Sequence, residues 1–239
     1  MKKQLLILLL LATLSLHAER IYATFDIQAY QSANLAFSTG GIIREVQTDI
    51  SMLVKKGDIL ARLNNDDLKA KFQIAKIAMT HAKADYERQL LAKKVIQKSK
   101  LDLYKFQYDN AKAQVDYIQS LLDKTILKAP FDGIISAKMI EVGDVVSGMA
   151  PRTAFSLQSE HKRKLILTFD QKYWHRVQTG NAFEYMIDGE KKTHHGVITK
   201  IYPKANTKTR KMTAEVYTED LIVGLFGTGT IITQDEGEK

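Results

Sequence analysis

The sequence predicts an α+β, multidomain and elongated molecule: a small β-domain interrupted by an antiparallel coiled-coil helical hairpin, then a small β-barrel with one helix. Three observations carry this. A short, glycine-punctuated β pattern occurs twice, the stretch 65–124 between the copies has a helical period, and a β period returns from Leu165 to Thr233.

The chain opens with Lys2 and Lys3, followed by a mostly apolar run of 12 residues from Leu5 to Leu16. A helix that spans a bilayer needs about 20 such residues. Leu16-His17-Ala18 ends in a small residue that a signal peptidase accepts, so residues 1–18 are expected to be a cleaved secretory signal. There is no cysteine, which excludes disulfides and a lipidated cysteine at the mature end. At 45% hydrophobic and 26% charged, the composition excludes disordered and multi-span membrane classes. The net charge of +8 includes Lys2 and Lys3, so a chain starting at Glu19 would carry +6. No zinc-finger spacing, RNA-binding signature or interleaved basic-aromatic strand accompanies that charge. No nucleic-acid partner is expected, and the basic surface suits anionic head groups or acidic partners.

Residues 19–34 form the next unit. Ile21 to Ile27 alternates as a strand does and would join the later strands, holding the two ends of the chain together. The first half of the β-domain, 35–64, contains Gly41-Ile42-Ile43 and, ten residues from the glycine, Ser51-Met52-Leu53-Val54, then Lys55-Lys56-Gly57-Asp58-Ile59-Leu60. The second half, 125–160, repeats Gly133-Ile134-Ile135 and, again ten residues on, Gly143-Asp144-Val145-Val146. One copy is too small to bury both faces of its sheet, but two packed together can.

Between the halves, Leu68, Phe72, Ala75, Met79, Ala82 and Tyr86 step alternately by four and three residues. Leu101, Tyr104, Tyr108, Ala111, Val115, Ile118 and Leu122 do the same, giving a heptad seam on each of two helices. No proline falls between Asn65 and Ala129 and no glycine between Asp58 and Asp132 until those residues are passed, so nothing breaks either helix. Arms of about 26 residues would extend roughly 39 Å, and the spacing predicts an antiparallel hairpin over 65–124. Only the base of so long a hairpin can touch the β-domain, which makes it a rigid arm rather than core.

The barrel is expected over 161–233, with 234–239 as a tail. Leu165 to Phe169 is a strand, and Asp170 would cap a short helix through Val177. Phe183, Tyr185 and Ile187 alternate, as do Val197, Thr199 and Ile201, and Met212, Ala214 and Val216, before a last strand from Gly229 to Thr233.

This order of parts resembles the membrane fusion proteins, the HlyD-like periplasmic adaptor subunits of tripartite efflux pumps. The residues that carry the likeness are Val54 to Leu63 before the hairpin, Leu127 to Ile135 after it, and Val142 to Val146. Ala129-Pro130-Phe131-Asp132-Gly133 is the most specific, and Ile201-Tyr202-Pro203 with Thr209-Arg210 resembles the family's barrel region. The resemblance covers residues 21 to 233. It implies a lipoyl-like (barrel-sandwich hybrid) β-domain and an adaptor that links an inner-membrane efflux transporter to a TolC-like outer-membrane channel. It further implies a homo-oligomeric ring, trimer or hexamer, located in the periplasm and associated with the inner membrane through its transporter. A resistance-nodulation-division (RND) transporter is favoured, an ATP-driven pump being the other option. In such adaptors the tip tends to carry an arginine, a leucine and a serine at fixed spacing, and here those positions hold Tyr86, Leu90 and Gln97. Ser51 stands where the family places a turn glycine, and the six residues after Thr233 leave no room for a membrane-proximal domain, as expected of a compact member.

The tip segment adds Lys93, Lys94, Val95 and Ile96. One reading is a solvated turn. The other is a surface for a partner, the lysines steering toward an acidic or carbonyl-rich channel end and Val95 and Ile96 making apolar contacts. Tyr86, Leu90, Lys93, Lys94, Val95, Ile96 and Gln97 are accordingly the candidate contact residues.

The sequence holds no phosphate loop, nucleophile elbow or His-Glu-x-x-His, and Asp66-Asp67 suit a helix N-terminus. No enzymatic activity, cofactor or metal is therefore expected. A swinging lipoyl carrier would place a lysine between the halves, where this chain places the hairpin. His194 and His195 would point to opposite faces of a strand, and Met139, Met149, Met186 and Met212 read as core. The competing reading is a self-contained periplasmic protein that binds a metal or small ligand through its barrel; an adaptor for protein secretion is a third.

Overall fold

The computed structural model describes residues 19–92 and 97–233. One compact unit takes the chain up to Gln31 and again from Ser159; the other is Ser32–Gln158.

In the first unit, β1 (Glu19–Ala29) closes a barrel with β10 (Lys162–Asp170), β13 (Lys211–Glu219), β12 (His194–Ile201), β11 (Ala182–Ile187) and β14 (Phe226–Thr233), in that order around the ring. β1 pairs antiparallel with both β10 and β14, so the first described strand joins the last. Strict alternation sends Ile21, Ala23, Phe25 and Ile27 inward. There Phe25 meets the rings of Phe183 at 5.9 Å and Tyr185 at 5.2 Å edge-on, and side chains fill the interior. Asp170 does cap a helix, its carboxylate accepting from the Lys172 amide at 2.9 Å, but the helix is a single 3-10 turn, Gln171–Tyr173. In β12 the alternating set Val197, Thr199 and Ile201 does not share one face: Ile198 is the buried residue and Val197 is 51% exposed. Val197 faces outward as the neighbour of Ile198, and a bulge between Ile198 and Lys200 shifts the register so that Ile201, three residues on, packs against the core as well.

The second unit contains two four-stranded sheets. One runs β2 (Ser32–Leu35), β9 (Phe155–Gln158), β7 (Gly133–Lys138), β4 (Leu53–Val54); the other runs β6 (Ile126–Lys128), β5 (Ile59–Leu63), β3 (Gly41–Val46), β8 (Val145–Val146). Each sheet takes a two-residue strand from the other half of the repeat. Gly41 and Ile42 pair with Val146 and Val145, while Gly133 and Ile134 pair with Val54 and Leu53. The turns repeat too: the Gly143 amide donates to Ile43 O at 2.9 Å, and the Ser51 amide donates to Ile135 O at 2.8 Å. Each half therefore completes the sheet of the other. Residues 32–34, expected in the linker, belong to β2.

In the same unit, helices α1 (Asp66–Leu91) and α2 (Lys98–Lys124) run between β5 and β6 and pack on each other. Every predicted seam residue is buried or half-buried, while most positions between them are exposed. Two layers of the same period on two antiparallel helices are what a coiled-coil hairpin requires.

Candidate functional site

The hairpin is fixed at its base before it can present a tip. Asn65, at the start of α1, sends its side-chain amide to Thr125 Oγ1 at 2.8 Å, and that hydroxyl donates to Leu122 O at 2.6 Å. Both side chains are buried, so entry and exit of the hairpin share one hydrogen-bonded layer. Asp66 and Asp67 occupy the first turn of α1, where their charge suits the helix N-terminus, and Arg44 reaches Asp66 at 2.6 Å. The Ala129-Pro130-Phe131-Asp132-Gly133 segment then ties the returning chain to the turn ahead of β5. Ala129 exchanges backbone bonds with Gly57 and Asp58, and Asp132 accepts from the Lys56 amide at 2.7 Å. A Cβ at Gly133 would run into the Gln158 carbonyl, so that position admits glycine alone.

Towards the tip, Tyr86 does not stand free. Its ring stacks on Tyr108, centroids 6.1 Å apart and nearly parallel, which makes it a layer of the seam. Leu90 lies one position off the seam, 41% exposed, because Gln89 takes the next inward place. Gln97 has an extended backbone and opens α2, its carbonyl accepting from the Lys100 and Leu101 amides. Lys93, Lys94, Val95 and Ile96 lie outside the described residues. Sequence reasoning missed Leu91, which is 89% exposed beside the tip. The signal was available: of two adjacent leucines only one can face a seam.

Elsewhere, His194 is stacked on Tyr185 and its Nε2 lies 3.0 Å from a Glu190 carboxylate oxygen, while His195 points outward. Among the described residues no group of three or more His, Asp or Glu side chains is arranged to hold a metal ion. Met139, Met149 and Met186 are exposed rather than core. Met186 falls on the outward phase of β11, and the other two lie in loops. On the barrel surface Glu215 is buried beneath Tyr202 and Tyr217, whose hydroxyls donate to it at 2.7 and 3.1 Å. Burial, the largest influence, pushes its pKa up, but the two hydroxyls and Lys200 and Lys164 outweigh it and hold the carboxyl below its ordinary range. That cluster braces β12 against β13.

With a hairpin set between exchanged half-sheets, and a barrel closed by the first and last described strands, the comparison with known proteins is direct. Residues 31–156, more than half of the chain, match the family model described as CzcB-like, barrel-sandwich hybrid domain. The chain belongs to the membrane fusion protein family. An uncharacterized protein of Haemophilus influenzae is 23% identical over 192 residues, 79% of this chain and 50% of that protein, so the chain spans about half the length of that relative. Among solved structures, a MacA-MexA chimeric protein containing the Pseudomonas aeruginosa MexA α-hairpin domain gives a TM-score of 0.83 at 20% identity, over 90% of this chain and 79% of that one. MacA from Actinobacillus actinomycetemcomitans gives 0.68 at 18% identity, over 90% and 79%. This membrane fusion protein therefore shares their fold. No helix among its described residues is long and apolar enough to cross a membrane.

Proposed function

We propose that this protein is a periplasmic adaptor that joins an inner-membrane efflux transporter, of RND type, to a TolC-like outer-membrane channel within a ring of identical copies. It is exported by a cleaved signal at residues 1–18, and its part is structural: it aligns and seals the conduit while the transporter supplies the energy. The observation that carries this reading is the hairpin. Helices of 26 and 27 residues bury their seams on each other, so their length adds reach and not core. Leu90 is exposed off that seam, at the place where the family carries its tip leucine. We assign the channel contact to Tyr86, Leu90, Lys93, Lys94, Val95, Ile96 and Gln97, with Tyr86 acting through the seam layer it forms with Tyr108.

A photo-crosslinking side chain in place of Lys94, activated in living cells, tests this. The expected product is an adduct with an outer-membrane channel protein, identified by mass spectrometry. Adducts with water or with other copies of the chain alone, from stably exported protein, would sink the tip-docking reading.

A further inference from the structure

The two ends of the barrel differ in chemistry. One end holds Ala29 and Lys162, where the chain passes to the other unit, and the loops that follow β11 and β13. There Asp188, Glu190 and Asp220 balance Lys162, Lys191 and Lys192. The other end holds Glu19 at the start of β1, Thr233 at the finish of β14, and two loops, 171–181 after β10 and 202–210 after β12. This second end is basic. Residues 202–211 carry Lys204, Lys208, Arg210 and Lys211 and no acid, and Lys172 adds a fifth cation from the neighbouring loop. All five are exposed, and among the described residues none of the five has an ion pair. Asp170 is occupied in capping the 3-10 turn.

The two loops are tied together. The Gln171 amide donates to Arg210 O at 3.0 Å. Within the second loop the Asn206 amide donates to Lys211 O at 2.9 Å, and the Asn206 side chain accepts from the Lys208 and Thr209 amides at 3.0 and 3.1 Å. The cations therefore stand on a loop whose backbone is shaped by its own hydrogen bonds.

Between the loops lies an open groove of about 640 Å³, lined by Lys172, Trp174, His175, Arg210 and Met212 among others. Trp174 is the chain's one tryptophan, and it is 67% exposed, its ring meeting the edge of His175 at 5.8 Å. Core packing gives no reason for an indole left in water beside unpaired cations. An apolar ring with one N–H donor is the group that settles at the head-group level of a bilayer. A lysine or arginine held near an anionic bilayer strengthens binding about fivefold.

We infer that this end of the barrel docks on the surface of a bilayer that carries anionic phospholipid. Trp174 enters among the head groups, and Lys172, Lys204, Lys208, Arg210 and Lys211 meet their phosphates. This goes beyond the adaptor reading, in which the inner membrane is reached only through a transporter. An acidic protein surface is the poorer occupant. Such an interface sets its aromatic anchor in an apolar centre, whereas Trp174 shares its groove with polar and charged side chains, Ala205 and Met212 apart. Asp235, Glu236 and Glu238 follow β14 and lie outside the described residues; three acids do not neutralise five cations.

Because Trp174 is the one tryptophan, its emission reads the site without a label. The exported protein is mixed with vesicles of phosphatidylethanolamine and phosphatidylglycerol, and with vesicles of phosphatidylcholine alone. With the anionic vesicles the emission should move to shorter wavelength, lipids brominated near the head group should quench it, and binding should weaken as salt rises. Measured by sedimentation, Lys204→Gln and Lys208→Gln should each weaken binding about fivefold and Trp174→Ala about tenfold. Lys191→Gln, at the other end of the barrel, should leave it unchanged. Unshifted emission with phosphatidylglycerol vesicles, or an equal shift with phosphatidylcholine, overturns the proposal. So does a shift with inner-membrane vesicles that is lost when protease has shaved them and is absent with pure lipid, which assigns the patch to an acidic protein. Tip docking is tested apart from these results, because it is read from the hairpin.

Discussion

Ser51 shows how a single residue can carry the history of a repeat. It lies at φ +68 and its counterpart Gly143 at φ +96, and both donate their amides to the matching isoleucine carbonyls, Ile135 and Ile43. The turn thus demands a left-handed residue in both halves, and only one half has the residue suited to it. A side chain there costs about 1–2 kcal/mol, offset in part by the greater freedom glycine loses on folding. Ser51→Gly is therefore expected to stabilise the protein by roughly 0.5–1 kcal/mol, read as a higher midpoint in urea at unchanged slope. Gly143→Ala should cost about 1 kcal/mol or more. If Ser51→Gly is destabilising, its hydroxyl does something at this turn that the backbone geometry does not reveal.

At the scale of elements, the hairpin depends on its two ends differently. The base is polar and buried: Asn65 and Thr125 satisfy each other across the point where the helices leave the sheets. Asn65→Ala would leave the Thr125 hydroxyl with its bond to Leu122 O but would remove its donor, a loss of about 1–2 kcal/mol. Amide exchange should quicken around Leu63 and Thr125, whose backbones bond to each other at 2.9 Å, while the Tyr86–Tyr108 layer keeps its protection. Loss of protection along the whole hairpin would mean that the clasp holds the seam together as well. The seam was legible in the sequence as far as Tyr86, because burial on one stripe leaves a strict four-three spacing, but the polar Gln89 that continues it was not. The exposed apolar residues outside it were not, since Ile74, Ile77 and Phe106 are thinly spread among charges and a reader seeking one core face passes over them. In the barrel, the inward sets of β10, β11 and β13 were legible as alternation, but β12 was misread. A bulge is invisible to a period-two rule, so the alternation of Val197, Thr199 and Ile201 could not show that Ile198 and Ile201 both face the core. Met139 and Met149 failed for a related reason, since an apolar side chain in a loop carries no periodic signal at all, whereas Met186 falls on the outward phase that the alternation of Phe183, Tyr185 and Ile187 already implies. Towards the tip, Tyr86 was legible as a seam residue, but its stacking on Tyr108 was not, because it depends on which residue of α2 lies opposite.

The whole chain is folded as one unit inserted into another, and its hydrogen bonds mark the junctions. The Tyr30 amide donates to Lys162 O at 3.0 Å and the Ser159 amide to Gln31 O at 2.9 Å, so the two ends of the barrel unit that flank the insertion lie side by side. The inserted unit is closed in the same manner, Ser32 pairing with Gln158. Each unit has its own core, one around Phe25 and Phe183, the other around Leu60, Ile135 and Phe155. Removing 32–158 and joining Gln31 to Ser159 through a short Gly-Ser link should therefore leave a folded barrel, since loop closure over so small a gap costs little. The piece from Ser159 onward without residues 19–31 should not fold, because β1 supplies the strand between β10 and β14 and the core residues Ile21, Phe25 and Ile27. Dispersed amide resonances and a cooperative thermal transition for the linked form, with neither for the C-terminal piece, are the expected pair of results. A C-terminal piece that folds alone would mean that five strands suffice, and that β1 joins the barrel only to tie the two ends of the chain together.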